Sequence, residues 1–292
     1  MVRFALLLMW LAHFLPLRLL AVLGEALGLS LYVLSRERRR VTETNLARCF
    51  LALPPDERAV LARRHFRAFG RSFLERGILW WSSRARIMRL VRLEGAEHLR
   101  ALAGRPVILL APHFVGLDMG WTRLTCEFDL VSIYANQKNF YFNAALRRGR
   151  ERFGRSRLLS RQQGVRPAIR AMHKGLPFYY LPDMDYGQRD TIFVPFFGVP
   201  AATITGLSRL VRMTGATVLS CVTQMLPNGD GYIVRIGAPW PGFPGASIEG
   251  DTRRMNQSIE TEVQAMVEQY FWLHKRFKTR PPGARPFYTA PR

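Results

Sequence analysis

The sequence predicts an α/β fold: a central mixed, mainly parallel sheet flanked by helices, preceded by an N-terminal hydrophobic, membrane-anchoring helical segment. Three observations predict it. Short apolar runs such as Pro106-Val107-Ile108-Leu109-Leu110-Ala111 match strands buried on both faces. Helix-period segments alternate with the strand-like ones, the order expected of a sheet covered by helices. Residues 4–34 are almost wholly apolar and end at a basic cluster, Arg36, Arg38, Arg39 and Arg40.

Each element follows in order along the 292 residues. A spanning helix needs about 20 apolar residues. The first run reaches that length only by including His13, Pro16 and Arg18, and Gly24-Glu25 interrupts it. That leaves an interfacial anchor with the arginines at the headgroups, a single tilted span, or a buried pair of core helices. Little basic residue precedes the run and no small-residue cleavage site follows it, which argues against a signal peptide. Attachment at the cytoplasmic face is expected, with residues 1–40 as the membrane-associating segment and 41–292 as the catalytic domain.

Residues 54–81 read as a helix: Pro54-Pro55-Asp56-Glu57 supplies a start, and Leu61, His65, Phe66, Phe69 and Phe73 recur at helical spacing. Residues 106–111 form a strand passing through Pro112-His113 into a helix over 116–126. A strand over 128–135, a helix over 164–174 closed by Gly175, and a strand over 176–181 come next. Residues 216–225 and 232–236 are β-rich and joined by Pro227-Asn228-Gly229-Asp230-Gly231, a hairpin signal. Asp251 opens a last amphipathic helix reaching about residue 277.

Lys and Arg number 43 against 21 Asp and Glu, a formal charge of +22. Such an excess suits nucleic acid, an anionic membrane surface, or an acidic protein and phosphorylated substrate. No helix-turn-helix, zinc-finger or RNA-binding signature is present, so specific nucleic-acid recognition is not expected. Cys49, Cys126 and Cys221 lack CxxC or metal-ligand spacing and read as reduced structural thiols.

The sharpest chemical feature is His113-Phe114-Val115-Gly116-Leu117-Asp118, where a buried strand emerges. Sites in α/β sheets gather at the carboxyl ends of strands. A carboxylate one turn away can hold the Nδ1–H of an imidazole and stabilise the imidazolium formed when Nε2 takes a proton. No Ser or Cys nucleophile in a G-x-S-x-G setting accompanies the pair, so the attacking group is the substrate's own hydroxyl. Taken alone, His-x4-Asp is common by chance, and a structural pairing is its bland alternative. Arg150, within the basic stretch 147–157, offers planar bidentate donors for a phosphate or oxyanion; a solvated basic helix is the alternative. Pro182-Asp183-Met184-Asp185-Tyr186-Gly187 places two acids at a strand end, without the neighbours a metal needs. His65, His98, His173 and His274 read as structural.

At these motifs the sequence resembles the late lipid A acyltransferases, within the lysophospholipid-type acyltransferases. The resemblance also rests on Ala202-Thr203-Ile204-Thr205-Gly206 and on Tyr270-Phe271-Trp272-Leu273-His274-Lys275-Arg276-Phe277-Lys278-Thr279-Arg280-Pro281. It implies transfer of a fatty acyl group from acyl carrier protein to a hydroxyl of a phosphorylated glucosamine disaccharide precursor, at the cytoplasmic face of the inner membrane. It further implies His113 as catalytic base, Asp118 as its orienting acid, and Arg150 and Asp183 as further functional, substrate-binding positions. The expected partners are acidic acyl carrier protein as co-substrate, the phosphorylated glycolipid and the anionic membrane, with no cofactor and no metal. One departure stands out: the family commonly has Glu where this chain has Asp118. Two other readings fit the sequence. The first is an acyltransferase for another acceptor, of lysophospholipid or phosphatidylinositol mannoside type. The second is a non-catalytic basic membrane-binding protein.

Overall fold

A computed structural model of the protein describes residues 2–288. Helices α1 (Val2–Ala12) and α2 (Leu17–Leu34) open the chain. Pro16 caps α2 and separates the two, because a proline has no N–H with which to continue α1. Then come α3 (Arg36–Cys49), α4 (Pro55–Leu74), α5 (Arg76–Trp81) and α6 (Arg84–Leu90). The division expected at residue 40 therefore falls within α3.

Helix α2 lies against α4 at a separation that only glycine allows. A Cβ on Gly28 would stand 2.1 Å from the Phe66 carbonyl oxygen, and one on Gly70 would stand 2.2 Å from that of Gly24. The outward faces of α1 and α2 leave Phe4, Leu7, Leu8, Phe14, Val22 and Val33 exposed. Among the described helices, α2 has the length and apolarity to cross a membrane. The helix expected over residues 54–81 is divided at Glu75. The carboxylate of Glu75 is buried, bonded by the Tyr232 hydroxyl and by Arg71 Nε at 3.1 Å.

The remaining elements are β1 (Val91–Glu94), α7 (Ala96–Arg100), β2 (Val107–Leu110), α8 (Leu117–Thr125), β3 (Val131–Tyr134), α9 (Phe140–Arg150), β4 (Arg157–Ser160), α10 (Arg166–Met172) and β5 (Phe178–Tyr180). After them come β6 (Thr191–Phe196), β7 (Val199–Ile204), α11 (Gly206–Thr214), β8 (Thr217–Met225), β9 (Tyr232–Ile236) and α12 (Ile248–Ala265). Seven strands form one sheet in the order β1-β9-β8-β2-β5-β3-β4. Its pairs are parallel except the β8–β9 hairpin, so the expected mixed, mainly parallel α/β architecture is present. Strands β6 and β7 form a separate antiparallel hairpin.

Strand β2 lies at the middle of the sheet, and all four of its residues are buried. This is the burial its uninterrupted apolar run requires. The last helix differs from expectation at both ends. Ser247, not Asp251, caps it, accepting the Gly250 N–H at 3.0 Å. Asp251 is buried and receives Ser208 Oγ, Arg212 and the Gly245 N–H. Helix α12 stops at Ala265 because the following backbone pairs with the loop after β2. Val115 N–H donates to Gln269 O at 2.8 Å, and Phe271 N–H donates to His113 O at 2.9 Å.

Candidate active site

Strands β2 and β5 are parallel neighbours with Ile108 opposite Phe178 and Leu110 opposite Tyr180. Carried three residues past the strand ends, the same offset sets His113 opposite Asp183. Each strand leaves the sheet through a proline, Pro112 or Pro182, just before the polar residue. The Asp183 carboxylate accepts two hydrogen bonds from His113, the backbone N–H at 2.8 Å and Nδ1 at 2.6 Å. With the proton on Nδ1, the Nε2 lone pair is free to accept. Among the described residues nothing bonds to Nε2, and His113 lines a cavity of about 900 Å³.

Asp183 itself is 1% exposed and does not line that cavity. Burial pushes its pKa up, but the charge of His113, its two hydrogen bonds and the field of Arg276 outweigh this, holding the carboxyl below its ordinary value. The carboxylate is thus ionised where an imidazolium would form.

The expectation that Asp118 orients His113 is corrected by this geometry. Asp118 does lie in the first turn of α8, as expected. Its Oδ1 is bonded by Arg150, and its Oδ2 lies 3.9 Å from Arg76 Nε. Nδ1 of His113 is already taken by the carboxylate that strand register delivers, and two guanidiniums compete for Asp118. Burial raises the Asp118 pKa, but Arg150 and Arg76 prevail, with a contribution from a charged His113, and the net shift is downward. Asp118 is therefore an anion whose field reaches His113 through space. The expected substrate-binding role of Asp183 is corrected in the same way, because its side chain points to His113 and away from the cavity.

Arg150 ends α9 and lines the cavity. The residue before it must be glycine, since a Cβ on Gly149 would meet Trp80 Cδ1 at 2.1 Å. Its own carbonyl accepts the Trp121 Nε1–H at 2.9 Å, fixing the helix end against α8. Arg76, at the start of α5, also lines the cavity and was not singled out from sequence. Burial lowers its pKa, the attraction of Asp118 opposes this, and the repulsion of Arg150 adds a smaller lowering. Arg76 and Arg150 together outweigh the charge of Asp118, so this cluster on the cavity lining carries an excess positive charge, while Asp183 faces His113 from behind.

The segment after α12 straps the site. Asn45 Nδ2 donates to the carbonyls of Trp272 at 2.7 Å and His274 at 2.8 Å. Asp185 accepts the Thr279 N–H and hydroxyl, at 2.6 and 2.8 Å. Arg276, 2% exposed, donates to Ala202 O at 2.9 Å and to Thr203 Oγ1 at 3.1 Å. Residues 270–281 thus contact both 182–187 and 202–206. His274 lies in this strap rather than in a helix, and it lines the cavity. Its Nε2 accepts the Asp185 N–H at 2.9 Å. Burial, then the charges of His113 and Arg276, lower its pKa to about 4, so it stays neutral with its proton on Nδ1.

The cavity lining includes the apolar side chains of Ile133, Leu146, Leu158 and Trp121, and the exposed arginines Arg161, Arg189 and Arg209. Such a space accepts a long apolar group with a charged end. Among the described residues, no three or more His, Cys, Asp or Glu side chains gather as a metal site.

Fold and site together define an α/β protein with a His–Asp pair at an apolar, arginine-lined cavity. Comparison with known proteins narrows the class. The family model for bacterial lipid A biosynthesis acyltransferases matches residues 1–279. The chain is 33% identical to the lipid A biosynthesis lauroyltransferase of Escherichia coli, over 94% of this chain and 90% of that one. It is 29% identical to the palmitoleoyltransferase of the same organism, over 96% and 92% of the two chains. It is 30% identical to a lipid A biosynthesis acyltransferase of Haemophilus influenzae, over 93% and 88%. A solved 1-acyl-sn-glycerophosphate acyltransferase from Thermotoga maritima aligns over 86% of this chain and 96% of its own, with TM-score 0.41 and 16% identity, a likeness too distant to carry an argument. The chain belongs to the bacterial lipid A biosynthesis acyltransferase family.

Proposed function

We propose that this acyltransferase moves a fatty acyl chain from acyl carrier protein to a hydroxyl of a phosphorylated lipid A precursor. The supporting observation is the free Nε2 of His113, backed by a buried carboxylate and open to a large cavity with apolar walls and arginines. In this reading, Nε2 takes the proton of the acceptor hydroxyl as its oxygen bonds to the thioester carbonyl carbon. Asp183 stabilises the imidazolium that results. The carbon–sulfur bond then breaks, and Nε2 returns the proton to the departing thiolate. Arg150 and Arg76, held by Asp118, supply positive charge for the developing oxyanion. No step requires a cofactor.

A membrane location suits a lipid acceptor. The exposed apolar faces of α1 and α2 sit in the cytoplasmic leaflet of the inner membrane, and the net charge of +22 favours that anionic surface and an acidic carrier protein alike. Residues 1–40 act as the membrane-associating segment, docked on the catalytic domain through α4.

Mass spectrometry of the glycolipid formed from a panel of acyl carrier protein thioesters tests the proposal. Transfer of one acyl chain by the purified protein, abolished in His113→Ala, is the expected result. Near-normal transfer by His113→Ala, or acylation of lysophospholipid in place of the glycolipid, would overturn it.

A further inference from the structure

Away from His113, the same cavity carries a cluster of arginines that the proposed chemistry does not use. Arg161 follows β4, its guanidinium 4.9 Å from the centre of the Tyr186 ring. Tyr186 is fixed in turn, donating its hydroxyl to Leu181 O at 2.8 Å. Arg189, in the β5–β6 loop, and Arg209, on α11, line the same cavity, and both contact Asp190, at 3.7 and 3.2 Å. Asp190 is anchored through its backbone, whose carbonyl accepts the Thr205 N–H at 3.2 Å. Arg189 and Arg209 share Asp190, while Arg161 lines the same cavity with no carboxylate partner among the described residues, so the three guanidiniums exceed that one carboxylate by two charges.

We infer that Arg161, Arg189 and Arg209 form a subsite for a phosphomonoester of the acceptor glycolipid. The inference rests on the proposed function and adds the element of the acceptor that this part of the cavity recognises. Three features favour this ligand. An excess of two charges matches a phosphomonoester dianion, whereas a phosphodiester such as a carrier arm would bring one. Guanidiniums bind phosphate oxygens in planar bidentate pairs. Val165 and Met213, both exposed and both lining the cavity, flank the cluster. Apolar side chains beside arginines suit a lipid that carries its phosphate next to acyl chains, and they suit an acidic protein surface poorly.

The test uses the full-length protein in detergent, with Arg161→Ala, Arg189→Ala and the double variant. Arg253→Ala serves as the control, since it removes an exposed arginine of α12 paired with Glu249. Two readouts are needed. In the transfer assay, each single variant should raise the acceptor KM about ten- to a hundredfold, the cost of a charged hydrogen-bonding group. The donor KM should stay within twofold, and an acceptor stripped of phosphate should be used equally by all forms. In calorimetry, the deacylated phosphorylated glucosamine disaccharide should bind the wild type and the control, and weaken by the same factor in the variants. The second readout does not depend on turnover, so it separates failure of the subsite from failure of the proposed reaction. Equal binding of phosphorylated and dephosphorylated disaccharide overturns the inference, as does a penalty that falls on the donor KM.

Discussion

Replacing Asp183 by Asn separates the roles of the two carboxylates near His113. The native carboxylate accepts both the backbone N–H and Nδ1–H of His113. An amide can keep one acceptor for the backbone, but its NH2 group then faces Nδ1 and demands a lone pair there. The imidazole proton must move to Nε2, which removes the base, and the anion beside the imidazolium is lost too. A comparable change of tautomer in a serine protease triad costs about 10⁴ in kcat. A loss of roughly 10³–10⁴ is expected here, equivalent to about 4–5.5 kcal/mol of barrier. Asp118→Asn keeps an oxygen for Arg150 and leaves the His113 tautomer alone, so its loss should be about ten- to a hundredfold. Initial rates of thiol release at saturating donor and acceptor measure both. If Asp118→Asn abolishes turnover while Asp183→Asn stays within about tenfold of wild type, the assignment of the orienting carboxylate is wrong.

Other expectations follow from packing, titration and the apolar surface. Gly149→Ala forces a methyl against the Trp80 indole and should cost about 1–3 kcal/mol of stability by overpacking, read as a lowered unfolding midpoint. His65 is fully buried with its pKa lowered to about 4 by burial, against a raising effect of its bond to Glu268 O. The unfolded chain binds that proton near pH 6.5, so stability is intact above this value and falls as pH drops toward about 4. By pH 5 the loss is about 2 kcal/mol, and urea midpoints of His65→Asn should show a shallower pH dependence. Leu8→Glu combined with Val22→Glu places charges on the exposed faces of α1 and α2. With about 1.5–3 kcal/mol at stake per apolar side chain, the protein should shift from the membrane pellet to the supernatant.

The sheet was legible where strands are apolar throughout. Residues 107–110 announce themselves because both faces are buried, and the β8–β9 hairpin does so through Asn228 and Gly229, which take φ of 53° and 74°. Strands β1, β4, β6 and β7 carry no such signal: they have exposed or half-buried positions, and β6 and β7 each contain a proline. His113 was found because it ends a legible strand. Its partner was assigned to the nearest carboxylate in sequence, whereas sheet order brings in one 70 residues away. The repeated proline before a polar residue, in Pro112-His113 and Pro182-Asp183, was the available clue once β2 and β5 are taken as parallel neighbours. Arg76 offered none, since it sits among the many arginines of a basic chain.

Base catalysis at Nε2 depends on which nitrogen of His113 carries the proton. Nitrogen-15 NMR of histidine-labelled protein above neutral pH reads this directly, with His113→Ala assigning the signal among the six histidines. The wild type and Asp118→Asn should show His113 protonated on Nδ1 with a bare Nε2, and Asp183→Asn should show the opposite tautomer. A wild-type His113 protonated on Nε2, or one unmoved by Asp183→Asn, would contradict the account.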